Sequence, residues 1–101
     1  MQLGIFAKTF PGSTPDDVLG QVKAAGFSFA HYNMACSGLA AMPDAIPDAV
    51  TDDIASAASR SGVTLVGMSA TWNMIHPDPV ERELGFQRLD MLAKAARRVG
   101  A

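Results

Sequence analysis

Three glycines, Gly26, Gly62 and Gly100, each close an Ala-rich helical pattern, at spacings of 36 and then 38 residues. After the first two comes a short apolar run, Phe27-Ser28-Phe29-Ala30 and Val63-Thr64-Leu65-Val66. Tyr32-Asn33-Met34 and Trp72-Asn73-Met74 recur 40 residues apart, each where its apolar run ends. A period of this size accommodates one strand, one loop, one helix and one turn, so the chain reads as stacked βα units. The order βαβαβα makes a parallel sheet with right-handed crossovers the expectation.

Local signals place each unit. Residues 3–6 form a short apolar run with Gly4 inside it, consistent with a buried first strand. Pro11-Gly12-Ser13 turns the chain. Thr14 is placed to cap a helix, with Pro15 at the first helical position and Asp17 three residues after the cap. Val18, Leu19, Val22 and Ala25 make its apolar stripe, and Gly26 ends it. The second strand is expected over 28–32, followed by a long loop, 34–46, whose Leu39, Met42 and Ile46 should pack over the end of the sheet. Pro47 and Asp48 open a second helix with a stripe of Val50, Ile54, Ala57 and Ala58, closed by Gly62. The third strand is expected over 63–69, followed by a polar and aromatic loop, 71–77. Asp78-Pro79-Val80-Glu81 then has the form of a capped helix start. The stripe of this third helix is Leu84, Phe86, Leu89, Leu92, Ala93, Ala96 and Val99, with Arg97 and Arg98 at its negative end.

Bulk properties bound the function. A formal net charge of −2 over 101 residues argues against a broad basic footprint for nucleic acid. The lone Cys36 excludes an intrachain disulfide and fits a reducing compartment. Without a long apolar stretch or a signal-peptide pattern, the expectation is a cytoplasmic protein with no membrane partner. There is no Gly-rich phosphate loop, no Gly-x-Ser-x-Gly elbow, no Cys-x-x-Cys and no His-Glu-x-x-His. The carboxylates fall mainly on helix starts or exposed helix faces, where capping and solvation explain them.

Ligands of parallel α/β folds meet the loops at the carboxyl ends of the strands. The residues unusual for such loops are Lys8, His31, Asn33, Cys36, Trp72, Asn73 and His76. His76, just before a capped helix, is suited to bind a metal or a sugar oxygen, or to hold its own loop. By alternation His31 shares a face with Phe29 and Asn33, while Ala30 and Tyr32 point the other way. His31 either lines a pocket from below or sits satisfied in the core. Trp72 is suited to stack on a sugar ring or to plug the sheet. Lys8 is placed to meet an anionic substrate or to stay solvated. Asn33 and Asn73 offer hydrogen bonds and are equally at home in turns. Cys36 has no base beside it in sequence, which argues against a nucleophile.

Gly4-Ile5-Phe6-Ala7-Lys8-Thr9-Phe10, the segment from Gly26 to Asn33, and above all Asn73-Met74-Ile75-His76-Pro77-Asp78 with Arg82, Gly85 and Leu89 downstream, resemble the sugar phosphate isomerase/epimerase family. That family has a xylose-isomerase-like TIM barrel. The resemblance runs over essentially the whole chain but over only the first three of eight βα units, so an incomplete barrel is expected. It implies an enzyme using a divalent metal (manganese, magnesium or zinc) that isomerises or epimerises a sugar or sugar phosphate by proton transfer beside a carbonyl. The metal ligands of such enzymes come mostly from later strands, which have no counterpart here, so the chain alone is expected to be inactive. His76 carries over as the histidine beside metal and substrate, and His31, Asn33 and Trp72 map to pocket-lining positions. Two alternatives accompany this reading. One is a phosphodiesterase similar to endonuclease IV on the same barrel; the other is a non-catalytic half-barrel that associates through the exposed edge of its third strand.

Overall fold

Short local signals set the order of the elements. The computed structural model describes residues 3–40, 42–70 and 77–101. Along the chain run β1 (Gly4–Phe6), α1 (Pro15–Ala24), β2 (Phe29–Tyr32), α2 (Asp48–Ser61), β3 (Thr64–Met68) and α3 (Pro79–Arg98). The first two strands each lead into a single 3-10 turn, Ala7–Thr9 and Met34–Ser37. Thr14 caps α1 as its sequence suggests, its hydroxyl accepting the Asp17 N–H at 3.3 Å. The Asp78 carboxylate caps α3 by accepting the Val80 N–H at 2.9 Å. Gly62 ends α2 with φ of 71°, a left-handed conformation that disfavours any residue with a Cβ, and Gly26 and Gly100 also have positive φ.

The three strands are parallel and lie in the order β1-β2-β3. Each crossover therefore steps in the same direction. With the common right-handed crossover, two such steps put their helices on the same face of the sheet. The core agrees: Val18, Leu19 and Val22 of α1, Ile54, Ala57 and Ala58 of α2, and Leu92 of α3 share one cluster with Ala30 and Tyr32 of β2 and Leu65 of β3. Leu39, Met42 and Ile46 of the long loop pack against it, as expected from their apolar character. Between α1 and α2, the Arg60 guanidinium holds both carboxylate oxygens of Asp16 at 2.8 Å. Both side chains are exposed, so this pair contributes at most about 1 kcal/mol.

The third helix departs from its expected stripe. Leu92 and Ala95 are buried, but Phe86, Leu89 and Ala93 are exposed. The reason is where α3 docks. Arg88 reaches Asp44 in the loop before α2, with Nη2 at 2.6 Å, and Arg98 Nε donates to Thr51 Oγ1 at 3.0 Å in the first turns of α2. The second half of α3 is thus seated on the core, while the first half carries an exposed Val80. Periodicity marks the apolar side of a helix but not which part of it finds a partner.

Candidate functional site

The uncovered face of the sheet and the turns at its carboxyl end define the candidate site. Gly4, Phe6, Phe29, His31 and Thr64 alternate with the residues that face the helices. Phe6 is 65% exposed and Val66 58% exposed, although both belong to a parallel sheet. Parallel sheets ordinarily have both faces covered. Among the described residues one face is packed and the other is open.

His31 lies on the open face, as alternation predicts, while Ala30 and Tyr32 are fully buried on the helix side. Its ring meets that of Phe6 edge to face, with centroids 5.3 Å apart and planes at 74°. Asn33 leaves this alternation, because β2 ends at Tyr32 and Asn33 caps the following turn. Its Oδ1 accepts the Ala35 N–H at 2.9 Å. Asn33 is only 7% exposed, and its amide nitrogen has no hydrogen-bond partner among the described residues. A buried donor without an acceptor is costly, and it makes Asn33 receptive to a ligand oxygen.

Lys8 stands in the turn after β1, exposed and without an ion pair among the described residues. It is close enough to Cys36 to influence its titration. Burial pushes the Cys36 thiol up, against the opposing effects of a hydrogen bond from the Asn33 backbone and the Lys8 charge. A buried sulfur with a raised pKa is a poor nucleophile, which agrees with the absence of a neighbouring base in sequence. The structure therefore brings Lys8, Asn33 and Cys36 together at the carboxyl ends of β1 and β2, with His31 one residue below the end of β2. Trp72, Asn73 and His76 lie outside the described residues.

Tyr32 supports this end of the sheet. Its hydroxyl lies 2.6 Å from Ser37 Oγ and ties β2 to the turn that carries Asn33 and Cys36. Burial pushes the phenol well above its ordinary value, outweighing the Ser37 hydrogen bond. Nothing in the sequence marked this pair beyond its five-residue spacing. Among the described residues, no three His, Cys, Asp or Glu side chains come together to hold a metal ion. No helix among them is long and apolar enough to cross a membrane.

A groove of about 580 Å³ opens elsewhere, between the start of α2 and the last turns of α3, lined by Ile46, Thr51, Met91 and Arg98 among others. Most of its charges are paired: Arg98 with Asp48 and with the neighbouring Asp52 at 3.5 Å, and Lys94 with Asp90 at 2.9 Å. It shares no residue with the strand-end group. No family model, curated protein or solved structure matches this chain. Among the described residues the fold is a parallel α/β arrangement of three strands and three helices, with one sheet face open.

Proposed function

We propose that these βα units are the first three of a (β/α)8 barrel, and that the parent protein is a metal-dependent sugar or sugar phosphate isomerase or epimerase. The observation that carries the reading is the one-sided sheet. Helices on one face, sequential strand order and an open face of alternating side chains are what a segment of barrel wall requires, since the inward residues of a barrel meet other strands. A doubly wound sheet would need helices on both faces.

In this reading the open face and the strand ends border the substrate. Lys8 attracts an anionic group such as a sugar phosphate, the Asn33 amide donates to a sugar oxygen, and His31 approaches from below. His76, Trp72 and Asn73 follow β3 in the sequence, and the family resemblance gives them roles at the same site. Isomerisation beside a carbonyl needs a base to remove a proton and an acid to return it. The turns that follow β1 and β2 carry no carboxylate among their residues. In this reading the ligands of a divalent metal that would polarise the carbonyl, and the carboxylates that move the proton, come mostly from the later βα units that the resemblance implies.

Equilibrium binding of the purified chain to a panel of ketoses and ketose phosphates, run beside abasic-site DNA, tests this. Saturable binding of a ketose phosphate, without turnover in D2O, is the expected result. Preference for abasic-site DNA would move the assignment to a phosphodiesterase. Exchange of the sugar C–H at enzymatic rates by this chain alone would contradict the claim that the acid and base lie elsewhere.

A further inference from the structure

The sheet slips register at one point. Phe29 and Ala30 pair with Thr64 and Leu65, but His31 pairs with Gly67, so Val66 is the extra residue of a bulge. A bulge re-aims the side chains beside it. At this bulge the neighbour of His31 has no side chain. A Cβ on Gly67 would lie 2.6 Å from His31 Nδ1 and 2.7 Å from Cε1, closer than atoms in contact can approach. The Nδ1–Cε1 edge of the imidazole thus occupies the space that a side chain at 67 would fill. Phe6, the register partner of His31 on β1, meets the ring from the other strand at 5.3 Å.

We infer that Gly67 and Phe6 are positioning residues for His31, seating its imidazole across the open face so that Nε2 is presented to a hydroxyl or carbonyl oxygen of a polyol ligand. The role of the ligand rests on the sugar reading above; the seat does not. With one ring edge against the β3 backbone and a phenyl ring beside it, the imidazole has little rotamer freedom. A ligand oxygen then meets a nitrogen that is already oriented, which lowers the ordering cost of binding.

The chain has two histidines, so a His76→Asn background leaves a single imidazole to follow by NMR. In that background the seat predicts nuclear Overhauser contacts between the Phe6 ring and the His31 imidazole, and imidazole resonances displaced by the phenyl ring current. Gly67→Ala should expel the ring, abolish these contacts and return the resonances towards those of a free imidazole. Phe6→Leu, at a largely exposed position, should remove the ring-current displacement without threatening the fold. Imidazole signals unchanged in both variants, or no Phe6–His31 contact in the parent, would overturn the seat. With His76 restored, titration with a ketose phosphate should then shift the His31 Nε2 resonance, assigned by comparison with His76→Asn, and shift it less when Gly67→Ala is introduced. A seated ring whose Nε2 ignores a ketose phosphate bound elsewhere on the chain would overturn the presentation role while the sugar reading stands. If no ketose phosphate binds at all, it is the sugar reading that fails.

Discussion

The amide of Asn33 and the ammonium of Lys8 stand at the ends of neighbouring parallel strands; among the described residues, the first is a buried donor without a partner and the second an exposed cation without a counter-charge. Two unanswered donors beside one another suit an anionic, oxygen-rich ligand. Asn33→Asp keeps the oxygen that accepts the Ala35 N–H but removes the amide donor and adds a negative charge. It should weaken ketose phosphate binding about tenfold or more, equivalent to about 1.4 kcal/mol, with Lys8→Ala giving a loss of similar size. Calorimetric titration of each variant checks this, with melting temperature measured alongside to separate affinity from stability.

His31 and Gly67 should behave as a coupled pair in stability. Gly67→Ala overpacks the space taken by the imidazole and should cost about 1–3 kcal/mol. In a His31→Ala background the same change meets no ring, and replacing a strand glycine should instead stabilise by about 0.5–1 kcal/mol. Urea unfolding of the two single variants and the double variant measures the difference. Additive effects would mean that the two residues do not meet.

Tyr32 and Cys36 make stability depend on alkaline pH. Both are neutral when protonated, and burial raises both in the folded state above their unfolded values. Their contribution is therefore complete below the unfolded thiol and phenol values of about 8.5 and 10, and is lost as pH rises through the higher folded values. Urea midpoints between pH 7 and 11 should fall from about pH 9 upward. Tyr32→Phe should lose about 1 kcal/mol by breaking the Ser37 hydrogen bond, and should flatten the upper part of that decline.

The two halves of α3 should answer differently to truncation. Leu92→Ala removes a buried side chain from the core and should cost about 2–5 kcal/mol. Val80 is 64% exposed in the first half, so Val80→Ala should lie within about 0.5 kcal/mol of the parent. Thermal melts of both variants compare them directly.

Much of this architecture is legible in the sequence because it rests on local chemistry. Thr14 and Asp78 cap helices wherever their side chains reach the following N–H groups, and Gly62 marks a left-handed residue that few others tolerate. The alternation that sets Ala30 and Tyr32 against His31 needs only the strand period. What escaped the sequence depends on partners. The stripe of α3 includes Phe86 and Leu89, but docking through Arg88 and Arg98 leaves both exposed. Asn33 fits either a turn or a pocket, and its geometry gives each half of the carboxamide a different fate. The bulge beside His31 depends on strand register; its one trace in the sequence is a glycine inside the third apolar run.

The central claim is that the open face of the sheet and the turns above it are the side of the molecule that meets a substrate. A map of backbone amide shifts during titration with a ketose phosphate tests it most directly. The account predicts perturbations concentrated at Lys8, His31, Asn33 and Gly67, with the exposed Asp52 of α2, which faces Arg98 of α3, unmoved. Perturbations confined to the groove between α2 and α3, or none at saturating sugar phosphate, would contradict it.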